Sequence, residues 1–156
     1  MEDNLFQFKP MPNWIQLFKK DFERFGVADN ARSKVVKCYR IGGPKEIFKT
    51  VTLYFYGKYD GQIQEMEEDY PELQKDIKMQ EEYGFFPLHW GKVEDDKFLA
   101  VLKPVSAPVT TMVDLYFIYD NNFYSFHTNI KKDEKDLSFD SLCRNYDFIN
   151  YVFKSI

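Results

Sequence analysis

The side chains in this sequence that could take part in catalysis are few and scattered. His89 precedes Trp90 and, in a cleft, could act as a general base or as a pH-sensitive contact. His127 ends an aromatic stretch and has the same two possible roles. Cys143, next to Arg144, could be an activated thiol. For all three a structural role is favoured: a histidine at a sheet surface, or a cysteine beside the apolar side of a helix.

No metal, phosphate or cofactor motif is present. The consecutive acidic residues Glu94–Asp96 could bind a divalent cation through oxygen ligands, but they lack the D-x-D-x-D-G spacing of a calcium loop, so a solvated turn is favoured. The sequence contains no G-x-x-x-x-G-K-S/T or G-x-G-x-x-G loop, no C-x-x-C and no H-E-x-x-H. It therefore predicts no catalytic residues, no metal site and no cofactor.

The strongest chemical bias lies in Asp60–Glu82, which we call the acidic segment. It holds nine acidic residues and two lysines, a net charge of −7, so the rest of the chain carries +3 against a total of −4. Concentrated negative charge steers a basic protein over long distances, and tyrosine adds rigid contact area. We expect a basic protein partner here; the alternative is an ordinary solvated helix face. The expected contact residues are Glu67, Glu68, Asp69, Tyr70, Glu72 and Asp76.

Composition predicts one folded domain over the 156 residues. A hydrophobic fraction of 44% and an aromatic fraction of 19% exclude bulk disorder, and the net charge of −4 disfavours general nucleic-acid binding. The acidic N-terminus does not resemble a secretory signal, and no apolar run reaches the roughly 18 residues of a membrane span. Cys38 and Cys143 are expected to be free thiols in a reducing cytoplasm.

The elements that would position these residues are organised around Val113–His127. Large apolar residues alternate through Tyr119, and Asp120–Asn122 tolerates the left-handed backbone of a tight turn before an aromatic strand resumes. Both faces of this hairpin are apolar, which predicts a central position in a sheet covered on both sides.

The other elements flank that hairpin. The aromatic residues of Asn4–Met11 are expected along a sheet edge or over the core, and Pro87 places its strand at a sheet edge or a bulge. The pattern predicts an α+β domain with an antiparallel sheet of about six strands, in the order α-β-β-α-β-β-β-β-α. The expected strands are Lys34–Ile41, Ile47–Tyr56, Gly84–Trp90, Lys97–Leu102 and the two of the hairpin; the expected helices are Asn13–Gly26, Tyr70–Glu82 and one beginning at Ser138 and running through Phe153.

The second half of the chain resembles the SUKH superfamily, small α+β proteins many of which neutralise bacterial toxins. The resemblance lies in the order of three strands followed by a terminal helix that begins with Ser-Phe. The family's Leu-Pro-x-x-Tyr motif and its Asn-Gly-Gly turn have no clear match in this sequence. It implies an immunity protein and assigns no site residues. The segments that carry it are Tyr83–Leu88, Phe98–Val101, Val113–Asp120 and Ser138–Phe139.

These observations favour a non-enzymatic binding protein, an immunity protein or inhibitor of a basic effector or toxin. A second hypothesis is an acidic, dimeric secretion or assembly chaperone that binds an extended segment along a sheet. A third is an enzyme or ligand-binding domain with an aromatic-lined pocket near His89 and Trp90. The identity of the partner and the oligomeric state stay open at this point.

Overall fold

The computed structural model describes residues 5–25, 27, 29–41, 49–59, 85–104, 110–131 and 135–156. Seven strands in this part of the chain form one antiparallel sheet, and two helices follow the last strand. The strands are Ile15–Leu17 (β1), Val35–Arg40 (β2), Thr50–Lys58 (β3), Phe85–Glu94 (β4), Lys97–Pro104 (β5), Thr110–Tyr119 (β6) and Asn122–Lys131 (β7); the helices are Phe139–Asn145 (α1) and Asp147–Ser155 (α2). Their order across the sheet is β1-β2-β3-β7-β6-β5-β4.

The hairpin of β6 and β7 lies inside the sheet, as the sequence predicts. Its two strands pair from Thr110 with Lys131 to Tyr119 with Asn122. Asp120 and Asn121 form the turn with positive φ angles of 50° and 62°, a conformation that Asp and Asn adopt more readily than most residues. The adjoining strands are β3 and β5, so both sides of the hairpin are paired.

Side chains on the two faces of the sheet belong to separate buried clusters. On the face that packs against the helices, Leu99, Leu115 and Phe126 join Leu142 of α1 and Ile149 of α2. The opposite face carries two clusters. One includes Phe98, Tyr116 and Phe123, and the other includes Leu17, Phe22 and Cys38. The alternation of strand residues thus places buried aromatic side chains on both faces of the sheet.

The predicted N-terminal helix over Asn13–Gly26 is wrong. Ile15–Leu17 is instead an edge strand, with Leu17 opposite Cys38, and Lys19–Asp21 is a short 3₁₀ helix. Trp14 and Leu17 are buried in clusters on different faces of the sheet, whereas Phe18 of the expected apolar helix face is 57% exposed. The three- and four-residue spacing of apolar residues in Asn13–Gly26 is therefore coincidental, and pairing with β2 determines the local structure of Ile15–Leu17.

The other differences are smaller. The sequence predicts one C-terminal helix, but the backbone leaves helical geometry at Tyr146 (φ −129°, ψ 102°), which divides this stretch into α1 and α2. Ser138 caps α1 as expected, because its side chain accepts a hydrogen bond from the Ser141 N–H. β4 continues to Glu94, so the turn expected over Gly91–Asp96 is limited to Asp95 and Asp96. β4 lies at a sheet edge and has a register shift after Pro87, as the proline predicts. The expected helix Tyr70–Glu82 lies outside the described residues.

Candidate functional site

All six residues expected to contact a partner fall within 60–84, outside the described part of the chain. What the structure gives is the pair of strands to which the acidic segment is joined: β3 ends at Lys58 and β4 begins at Phe85. Three strands lie between β3 and β4 in the sheet. The half-buried Tyr59, next to the segment, packs against the Phe98 cluster and is therefore a core contact rather than a displayed one.

A polar row crosses the sheet on the face away from the helices. It comprises Cys38, Thr52, His127 and Asp114, one residue from each of four neighbouring strands. Cys38 Sγ and Thr52 Oγ1 are 3.2 Å apart, Thr52 pairs in register with His127, and His127 pairs with Asp114. Polar side chains on a buried face are stabilised when they bond to one another, as Cys38 does with Thr52 and Asp114 with His127.

Among the described residues, the Asp114–His127 pair is the polar contact best suited to take part in a reaction. Nδ1 of His127 lies 2.7 Å from Oδ1 of Asp114, whose side chain is 6% exposed against 23% for the imidazole. In a neutral ring this carboxylate places the proton on Nδ1, which orients the imidazole. Oδ2 of Asp114 is buried and has no hydrogen-bond partner among the described residues. The arrangement resembles the base and orienting group of a hydrolytic site, without a nucleophile assigned to it.

The cysteines are not activated nucleophiles. Burial raises the pKa of the Cys38 thiol, and the hydrogen bond to Thr52 lowers it by less. Burial also raises the pKa of Cys143, with Asp140 acting in the same direction and Lys154 against it. A reactive cysteine has a lowered pKa. Both thiols are free, as expected, and the structural role favoured for Cys143 agrees with its half-buried position.

His89 is far from the polar row. It pairs with Val101 on β5 and faces the helix side of the sheet, whereas His127 faces the other side. The structure therefore does not bring the two histidines together. The carboxylates of Glu94 and Asp95 form surface ion pairs with Lys97 (2.7 Å) and Lys92 (3.1 Å). In the described ranges no group of three or more His, Cys, Asp or Glu side chains could hold a metal ion.

A small crevice with a cavity volume of about 10 Å³ lies between the sheet and α2. Its walls are apolar and include Val51 and Leu115 from the sheet with Ile149 and Val152 from α2. Ligand pockets usually measure about 300–1,000 Å³ and carry a few converging polar groups. This crevice is smaller and has few polar atoms, so it does not make a good small-molecule site.

Comparison with known proteins supports the fold alone. No family model matches the chain, and no curated protein matches it in sequence. A similar fold is found in the solution structure of cyanobacterial PsbP (CyanoP) from Synechocystis sp. PCC 6803, with a TM-score of 0.56 and 11% sequence identity. The superposition covers 90% of this chain and 81% of the PsbP chain. None of the helices in the described part of the chain has the length and apolar character needed to cross a bilayer.

Sequence inspection names His127 but not its partner Asp114, because thirteen positions separate them. The signal that could have found the pair is the turn. Once Asp120–Asn121 is taken as a two-residue turn, Asp114 and His127 are equally distant from it and must face each other on adjacent strands.

Replacing Asp114 with alanine is expected to lower the free energy of unfolding by about 2 kcal/mol, because it removes the carboxylate that bonds to the half-buried imidazole of His127. Asp114→Asn, which keeps an oxygen acceptor, should cost about half as much, and the surface change Asp95→Ala should cost less than about 0.5 kcal/mol. Urea denaturation of the three variants checks this. If Asp114→Ala were as stable as the wild type, the prediction would be wrong, and the free-energy cost of burying the carboxylate would equal the gain from its hydrogen bond.

Alkaline pH is expected to destabilise the protein. Burial raises the pKa of the Cys38 thiol in the folded state above its ordinary value of 9.0, so the folded chain holds the thiol proton at a pH where the unfolded chain has lost it. This contribution is fully present below the unfolded pKa and is lost as the pH rises through the folded-state pKa. Urea denaturation should show constant stability up to about pH 8 and a decline above about pH 9. An equal decline in Cys38→Ala would exclude the thiol as its source.

Proposed function

We propose that this chain is a non-enzymatic protein-binding module that recruits a basic partner through its acidic segment. The observation that carries the proposal is the separation of charge: −7 over Asp60–Glu82 against +3 over the rest of the chain. Such a segment raises the association rate of an oppositely charged protein well above that of a neutral encounter. Glu67, Glu68, Asp69, Tyr70, Glu72 and Asp76 form the proposed contact set.

The described part of the chain supports a scaffold role. The segment joins β3 to β4, and both strands belong to one hydrogen-bonded sheet. Binding residues are often carried by a connection between rigid elements, because the scaffold holds both ends of the connection in fixed positions. Within the described part of the chain, the raised pKa values of Cys38 and Cys143 disfavour a thiol nucleophile, and the small apolar crevice is a poor ligand site.

Within this proposal the partner is a basic effector enzyme or toxin, and the chain is its cytoplasmic immunity protein or inhibitor. That identity draws on the resemblance of Tyr83–Leu88 and the following strands to SUKH proteins. An inhibitor gains from electrostatic steering because it must reach its target before the target reaches its substrate, and steering acts mainly on the association rate.

Affinity capture from a lysate of the source organism tests the proposal. The tagged chain is incubated at low and high salt, and retained proteins are quantified by mass spectrometry. We expect one basic protein that is retained at low salt and depleted at high salt, since screening shortens the reach of charge–charge attraction. Retention of acidic proteins only, or of the same proteins at both salt concentrations, would contradict it.

A further inference from the structure

The N-terminal residues Leu5–Lys9 lie as an extended chain over the helix side of the sheet. Their exposure alternates: Phe6 is 6% exposed and Phe8 is half-buried, while Leu5, Gln7 and Lys9 are exposed. This is the period of two expected of an extended peptide that presents every second side chain to a surface. Of the two positions predicted for this aromatic stretch, a sheet edge or the core, the structure shows the one over the core.

Phe6 occupies a pocket in which four aromatic rings of the central hairpin surround its ring. Its ring centroid lies 4.9 Å from that of Phe117, 5.5 Å from Tyr119 and 5.9 Å from Tyr124. Phe126 closes the pocket at 6.1 Å. The Phe6 N–H donates to the hydroxyl of Tyr124 at 3.0 Å. Edge-to-face contacts of this kind add to the gain from burying the ring.

Phe8 occupies a second pocket two residues along. Its centroid lies 4.9 Å from that of Phe126, 5.8 Å from Trp14 and 6.0 Å from Tyr151 of α2. Tyr39 of β2 is at 5.8 Å. The hydroxyl of Tyr151 donates to the carbonyl of Lys9 at 2.6 Å. The two pockets share Phe126 and together form one groove, which we call the aromatic groove.

The segment in the groove is not part of the sheet. None of residues 5–9 belongs to a strand, and the groove's hydrogen bonds to the segment come from two tyrosine hydroxyls rather than from a backbone ladder. A turn in which the Trp14 N–H donates to the Met11 carbonyl (3.0 Å) then leads into β1. The groove therefore recognises side chains at positions i and i+2 of an extended chain, and any peptide with suitable side chains presents the same features.

We propose that the aromatic groove is a peptide-binding site for an extended segment with two aromatic residues separated by one residue, and that Phe6 and Phe8 occupy it within the same chain. A partner that carries an aromatic-x-aromatic stretch displaces them. Because the chain's own segment is tethered, its effective concentration is of millimolar order, so an incoming peptide binds well only when it fits better or when the tethered segment is removed. None of the residues that form the groove belongs to the acidic segment, so this proposal does not depend on the proposed function.

The test uses a fluorescent synthetic peptide with the sequence of Leu5–Met11, titrated into full-length protein and followed by fluorescence polarisation. The variant Phe6→Ala/Phe8→Ala should bind it saturably, and the wild type at least about 10-fold more weakly because its own segment competes. The peptide with both phenylalanines changed to alanine should bind neither protein. A folded double variant that fails to bind, or that binds both peptides equally, would overturn the proposal.

Should the double variant fail to fold, the wild type decides the question. The same peptide with a photo-crosslinking phenylalanine analogue at its first aromatic position is irradiated with wild-type protein at millimolar concentration. The proposal expects crosslinks in Thr110–Tyr119 and Asn122–Lys131, and their suppression by excess unlabelled peptide but not by the alanine peptide. Crosslinks outside these strands, or none, would overturn it.

Discussion

A chain in which Glu67, Glu68 and Glu72 are all changed to lysine is expected to bind its basic partner about 100-fold more weakly. Each change replaces an attraction with a repulsion, and like charges brought together across an interface cost several kcal/mol in total. Most of the loss should be in the association rate constant, because long-range charge acts before contact is made. Surface plasmon resonance with the partner identified by affinity capture measures both rate constants.

A matched control separates local charge from net charge. Changing the exposed residues Glu23, Asp95 and Asp140 to lysine alters the net charge by the same amount but leaves the acidic segment intact. We expect this control to bind within about threefold of the wild type, because it leaves every charge of the proposed contact set unchanged. If both triple variants lost affinity equally, net charge rather than the acidic segment would govern binding.

Replacing Phe117 with alanine should cause the largest loss of stability of any single change considered, about 3–5 kcal/mol. Its ring is fully buried, stacks on Tyr124 and Phe126 at 5.2 and 5.7 Å, and forms one wall of the aromatic groove. The resulting cavity would lie in the interior of the sheet, where β6 is paired with β7 on one side and with β5 on the other, and this pairing restricts relaxation. Thermal unfolding followed by circular dichroism should show a midpoint lowered by about 10 °C or more.

Phe18→Ala is the control for that change, because it removes an equal side chain from a site that is 57% exposed. It should cost less than about 1 kcal/mol. A loss at Phe117 no greater than that at Phe18 would mean that the core is not packed around the central hairpin as the structure shows.

Local patterns made the centre of the fold predictable. The alternation in Val113–Tyr119 and the turn at Asp120–Asn121 are both contained in a short stretch, so the hairpin can be identified without knowledge of the rest of the chain. β1 could not be identified in this way. It is three residues long, and its stability comes from pairing with Cys38–Arg40, more than twenty positions away. The four-residue spacing of Trp14, Phe18 and Phe22 is the strongest local pattern there, and it predicts a helix.

The functional features divide in the same way. The charge of the acidic segment is a property of composition and is visible in the sequence. The Asp114–His127 pair depends on the register of two strands, and the aromatic groove depends on four elements that converge around Phe6 and Phe8. Side chains brought together by tertiary structure leave no spacing pattern along the chain, so the sequence predicts only that Phe6 and Phe8 lie along a sheet edge or over the core.

The association rate constant of the wild type with its captured partner, measured as a function of salt, tests the central proposal most directly. Between about 10 mM and about 1 M salt the screening length falls from about 30 Å to about 3 Å. The proposal predicts a decrease in the rate constant of at least about 10-fold over this range, and a much smaller decrease for the Glu67, Glu68 and Glu72 triple variant. A wild-type rate constant that does not change with salt would contradict recruitment of the partner by the acidic segment.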